Sequence, residues 1–149
     1  MSHVASVELV INDIASLGAA ASRLGCTFKR GQKEHRWYGR FLADSEIGRQ
    51  TAEEFNAKTF GTCEHAIEVP GSDYDIGVVK NPTGAGYRLI YDQYGPNGHA
   101  IAEKLGGQSL PELKSEYGAV RATRYLQRQG YRVVRRVLAN GQIKLSGIR

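Results

Sequence analysis

Residues 64–92 read EHAIEVPGSDYDIGVVKNPTGAGYRLIYD, three β-branched and aromatic runs separated by two turn signals. Glu64–Val69, Tyr74–Lys80 and Tyr87–Asp92 have strand composition. Pro70-Gly71-Ser72-Asp73 and Asn81-Pro82-Thr83-Gly84-Ala85-Gly86 supply the residues that reverse a chain. A meander of antiparallel neighbours is the simplest arrangement, because links this short leave no room for a crossover helix. In such a meander Asp73, Asp75 and Asp92 are expected on a solvated face, opposite Tyr74, Ile76 and Val78.

Toward the N-terminus, His3–Ile11 alternates with Val7, Leu9 and Ile11 on one face, a first strand. Asn12 or Asp13 can cap a helix carrying Ile14, Leu17, Ala21 and Leu24, and Gly25 stops it. Cys26–Arg30 reads as a second strand. After Gly31-Gln32, Lys33–Leu42 alternates again: His35, Trp37 and Phe41 face one way, Arg36, Tyr38 and Arg40 the other. Ala43–Gln50 is loop-like, and Thr51 with Glu54 makes a capping box for a short helix containing Phe55.

Toward the C-terminus, Gly95–Gly98 reads as a loop and His99–Leu105 as one or two helical turns closed by Gly106-Gly107. Ser109 is placed to cap the longest helix, with Pro111 in its first turn and Leu113, Tyr117 and Val120 on its inner stripe. Gly130 ends it. Tyr131–Ala139 and Gln142–Ile148 flank Asn140-Gly141, a strong local hairpin signal. The expected fold is α+β: a mainly antiparallel sheet with two helices on one face, a ferredoxin-like core, and a C-terminal β-hairpin.

The 149 residues suit one domain, 1–149. A 41% hydrophobic and 23% charged composition is that of a soluble globular chain. No apolar run suits a membrane span, and the start, MSHVASVELVIND, lacks signal-peptide design. Cys26 and Cys63 are too few for a disulfide framework, so a cytoplasmic protein with reduced thiols is expected. No phosphate-loop, dinucleotide, nucleophile-elbow or zinc-helix motif occurs, and no cofactor is expected.

Charge is unevenly spread. Glu112–Arg149 carries nine Lys/Arg against Glu112 and Glu116, a local +7, in a chain whose net charge is +5. That asymmetry points to an anionic partner. Arg121, Arg124 and Arg128 are spaced as neighbours along one helix edge. On the hairpin, Arg132 and Arg136 share a face and Arg135 lies on the other. Arg36, Tyr38 and Arg40 add a basic-aromatic-basic face of the kind that stacks bases and tracks phosphates. Cys63 and His65, two apart, could offer a thiolate and an imidazole to a metal or to thiol catalysis, although packing into the core explains both.

Taken together, several stretches resemble one family. Met1-Ser2-His3 runs into a strand and then Asp13-Ile14-Ala15-Ser16-Leu17. Cys63-Glu64-His65-Ala66-Ile67-Glu68-Val69-Pro70-Gly71 leads to Tyr74-Asp75-Ile76-Gly77-Val78 and Gly86-Tyr87-Arg88-Leu89-Ile90-Tyr91-Asp92. Gln129-Gly130-Tyr131-Arg132-Val133 and Asn140-Gly141-Gln142-Ile143-Lys144-Leu145 close the chain. These resemble the hypothetical chloroplast open reading frame thirty-five proteins, a domain-of-unknown-function family. The Cys63–Ile67 and Arg36-Trp37-Tyr38-Gly39-Arg40 wording is similar to members carried by bacteria and tailed phages. The resemblance implies no catalytic residues. It implies an adaptor role beside AAA-type ATPases, and in plastid-type members an acidic final hairpin where this chain has arginines.

The expectation is therefore a non-enzymatic binding or adaptor protein, phage- or bacterium-encoded, with a macromolecular partner: a protein or an anionic surface. Nucleic-acid binding through Arg36, Tyr38, Arg40 and the C-terminal arginines is the alternative, and a Cys63/His65 metal or thiol enzyme a second one. The sequence leaves the oligomeric state open.

Overall fold

The computed structural model describes residues 4–37, 61–81 and 84–149. In chain order these form β1 (Val4–Ile11), α1 (Ile14–Arg23), β2 (Thr27–Lys29), β3 (His65–Glu68), β4 (Asp75–Lys80) and β5 (Tyr87–Asp92). Then come α2 (Gly95–Lys104), α3 (Pro111–Arg128), β6 (Arg132–Val137) and β7 (Ile143–Ile148). β1 to β5 make one antiparallel sheet in the order β1-β5-β4-β3-β2, and β6-β7 a separate two-stranded ribbon. The fold is α+β, with the expected meander at its centre. No helix among the described residues is long and apolar enough to cross a membrane.

Because every neighbouring pair is antiparallel, β1 and β2 run parallel and are joined by α1, a split βαβ unit. β5, β4 and β3 lie between them. β1 sits at the sheet edge because, among the described residues, the chain after α3 folds into the ribbon and returns no strand to the sheet. One face of the sheet carries the main core: Val7, Ile11, Ile67, Ile76, Val78, Leu89 and Tyr91 pack against Leu17, Ala20 and Ala21 of α1 and Leu113 and Tyr117 of α3.

Among the described residues three helices cover that face, where two were expected. Gly95-Pro96-Asn97-Gly98 is the first turn of α2 and not a loop. Pro96 fits a first turn, where the backbone N–H would be unpaired anyway. Gly98 is required there: a Cβ would stand 2.2 Å from the carbonyl carbon of Gln93. Ser109 does not cap α3. The cap position is Leu110, held in the left-handed region (φ 55) with its side chain fully buried. Core burial overrides capping chemistry at that corner.

The opposite face of the sheet is covered as well. His35 and Trp37 are buried, and Trp37 packs with Ile90 and Val79. The imidazole lies on Gly77, where a Cβ would meet Nδ1 at 2.6 Å. Asp75 and Asp92 are completely buried, correcting the expectation of a solvated acidic face; of the three acids Asp73 alone stays exposed. Asp75 to Val78 is consequently an unbroken buried run rather than an alternating one. The burial alternation of His35 and Trp37 against Arg36 holds, but the expected strand does not form over 33–37, where Glu34 makes an isolated bridge to Thr62. The remainder of the expected strand, with Tyr38, Arg40 and Phe41, and the Thr51–Glu54 capping box lie outside the described residues.

The ribbon reverses through Ala139-Asn140-Gly141, one residue more than the expected two-residue turn. Leu138 N–H donates to the Gln142 carbonyl at 2.8 Å and Gly141 N–H to Leu138 at 2.9 Å. Gly141 takes the positive φ (84) that such a three-residue loop needs at its end.

Candidate functional site

The C-terminal arginines divide into those engaged within the fold and those facing solvent. Arg135 points from β6 onto α3 and forms a two-pronged ion pair with Glu116, its Nη1 donating to Oε2 at 2.9 Å. Arg23 of α1 reaches the same carboxylate at 3.2 Å. Glu116 is buried, so this pair fastens the ribbon to the helical layer. It also floors a cleft of about 540 Å³ between α3 and the ribbon tip, which Glu112 lines as well.

Arg124 is also engaged. Its Nη1 donates to Ser16 Oγ at 3.1 Å, and Ser16 Oγ donates to Asp13 Oδ2 at 2.6 Å. Asp13 accepts the Ser16 backbone N–H as the cap of α1, and the Tyr117 hydroxyl accepts the N–H groups of Asn12 and Asp13. The hydrogen bonds from Ser16, with help from Arg124 and Arg121, hold the Asp13 carboxyl below its ordinary value. Arg121 lies over the Tyr117 ring at 5.7 Å, while Arg128 is exposed.

The three helical arginines therefore do not continue the ribbon's surface. At roughly 100° per residue, Arg121, Arg128 and Arg124 lie about 140°, 120° and 80° around α3 from Glu116, the residue that pairs with Arg135 of the ribbon. Arg121 and Arg128 thus lie well around the helix from the ribbon side, and Arg124 is turned to Ser16 of α1.

The ribbon's outer face is the other half of the division. Arg135 faces α3, so Arg132, Val134 and Arg136 face away. Register pairs them directly with Ile148, Ser146 and Lys144. All six are exposed, Val134 at 44% and Ile148 at 43%. Arg136 thus stands opposite Lys144, a like-charge pair, and Tyr131 to Arg149 contains no acid. Among the described residues none of Arg132, Arg136 and Lys144 forms an ion pair. Arg149 folds back over the Tyr131 ring at 4.7 Å. Lys144, Ser146 and Ile148 were not singled out from sequence. The strand period and the Asn-Gly turn pair the two runs, but fixing their cross-strand partners needed the loop length.

Arg36 is occupied too. Its Nη2 and Nε donate to Asp75 Oδ1 and Oδ2 at 2.9 and 3.2 Å, and its backbone N–H reaches Oδ2 at 3.0 Å. Its guanidinium is committed to a fully buried carboxylate rather than presented for phosphates. Cys63 donates its thiol to the Gln32 carbonyl at 3.1 Å, and burial pushes that thiol up to about 12, away from the thiolate that a nucleophile or metal ligand requires. His65 Nδ1 accepts the Gly31 N–H at 2.9 Å, between the rings of Phe28 and Tyr87. No cluster of three or more His, Cys, Asp or Glu suited to a metal occurs among the described residues.

The fold and this surface define an α+β domain with a helix-anchored basic ribbon. No family model, curated protein or solved structure matches the chain.

Proposed function

We propose that this chain is a non-enzymatic binding protein that holds an anionic macromolecular partner against the outer face of its C-terminal ribbon. The observation that carries this reading is Arg136 directly across from Lys144, with Arg132 on the same face and no acid nearby in the ribbon. By contrast, Arg36 is matched by Asp75 and Arg135 by Glu116. Like charges facing each other across a ribbon destabilise it by about 0.2–1 kcal/mol. A bound polyanion turns that repulsion into attraction.

The buried, protonated Cys63 supports the non-enzymatic part of the reading. The resemblance to the chloroplast open reading frame thirty-five family extends it to an adaptor working in the cytoplasm beside an AAA-type ATPase, in a phage or bacterial setting. Affinity capture from the native host tests it, using the wild-type chain and an Arg132→Glu/Arg136→Glu/Lys144→Glu variant, with mass spectrometry and nucleic-acid sequencing of what is retained. A partner kept by the wild type and lost by the variant is expected. Equal recovery by both would refute the ribbon as the contact surface.

A further inference from the structure

We infer that the anionic partner is double-stranded DNA, with the ribbon's outer face docked across the major groove; this rests on the reading of that face just given. Arg132 and Arg136 are four residues apart on one strand, or about 14 Å at the rise of an antiparallel strand. Lys144 lies beside Arg136, so cations mark both ends of the face. Between them Val134 and Ser146, a directly opposed pair, leave a small, uncharged centre. The major groove of B-form DNA is about 12 Å wide and admits a two-stranded ribbon. Cations at the two ends then meet phosphates on the two walls, while Val134 and Ser146 face the groove floor.

The Arg136–Lys144 pair separates DNA from an acidic protein. Cross-strand neighbours have Cβ atoms about 5 Å apart. Counting both strands, a DNA duplex carries one phosphate charge per roughly 1.7 Å of axis, so its charge per unit length is high. Carboxylates on one face of an extended polypeptide recur only about every 7 Å, since alternate side chains point away. The dense charge belongs to nucleic acid. Duplex RNA presents a major groove too deep and narrow for side chains, which leaves B-form DNA. Anchoring of the back of the ribbon through Arg135 and Glu116 holds the face in a fixed orientation before binding.

The test is fluorescence anisotropy of the full chain against a short DNA duplex, the same duplex as RNA, and polyglutamate, each over a range of salt. Three phosphate contacts give a slope of log affinity against log salt of about −2.7, a loss of about forty-fold between about 50 and about 200 mM. Arg136→Ala and Lys144→Ala each reduce the slope by about 1, so that the loss shrinks to about twelve-fold. Arg121→Ala, on the other side of α3, leaves the slope unchanged. DNA binding with that slope, weaker RNA binding and weak polyglutamate binding support the inference. Polyglutamate or RNA bound as tightly as DNA, with both ribbon variants weakened, would overturn the inference while leaving an anion-binding ribbon standing. No binding to any of the three at low salt, or DNA binding unaffected by both ribbon variants, would overturn both readings.

Discussion

Gly77→Ala tests whether the sheet is closed on its second face. Gly77 lies mid-strand in β4 with the His35 ring against it, and a new Cβ would stand 2.6 Å from Nδ1, 2.9 Å from Cε1 and 3.0 Å from Cγ. Real Cβ atoms do not approach so closely, and His35 is fully buried, so the ring has no solvent to retreat into. Overpacking of this kind costs about 1–3 kcal/mol, and the shortness of the contact places Gly77→Ala near the upper end. The diagnostic step is the same change in a His35→Ala background. There the clash partner is gone, and the cost should vanish or become a gain of about 0.5–1 kcal/mol from removing a strand glycine. A coupling of about 2–3 kcal/mol between the two positions follows. Denaturant unfolding measures it, and the single tryptophan, Trp37, reports from the same buried layer. If Gly77→Ala costs as much without His35 as with it, His35 does not cover β4 and the second layer is misplaced.

Three further outcomes are expected. Burial pulls the His35 imidazole down to about 4 from its ordinary 6.5. The unfolded chain therefore binds a proton below about 6.5 that the folded chain refuses until about 4, and stability should fall by up to about 3 kcal/mol as pH drops through that window. Unfolding free energies on either side of the window, with and without His35→Ala, check this; an unchanged pH slope in the variant contradicts it. Arg124→Glu sets a carboxylate beside Ser16 and Asp13 and should destabilise by about 1–2 kcal/mol, whereas Arg128→Glu should stay within about 0.5 kcal/mol, as thermal melts would show. Glu116→Ala strips Arg135 and Arg23 of their shared partner, so amide exchange should accelerate in β6 and β7 while β3 to β5 stay protected. Uniform acceleration would show that the ribbon is not separately anchored.

What the sequence made legible was local. The meander and the terminal ribbon are written in turn residues next to the strands they join, so Pro70-Gly71 and Asn140-Gly141 announce them directly. Asp75 was legible as an acid on an alternate strand position, but its burial comes with the Arg36 guanidinium and backbone, which arrive from elsewhere in the chain. Gly95-Pro96-Asn97-Gly98 has loop composition, and only the backbone of Gln93 beside it explains why glycine there permits a helix. Arg124 and Arg128 look alike on a helical wheel. Ser16, far off in sequence, makes one a clamp and leaves the other to solvent. The nine C-terminal cations thus named a charge and not a surface. Folding sorts them by which carboxylate or hydroxyl each one meets, and what remains on the ribbon is Arg132, Arg136 and Lys144.

Titrating a short DNA duplex into isotope-labelled protein and following amide and side-chain shifts locates the contact directly. Shifts confined to Arg132, Val134, Arg136, Lys144, Ser146 and Ile148 are expected. Shifts centred on Arg121 and Tyr125 of α3, or none at low salt, would contradict the ribbon as the functional face.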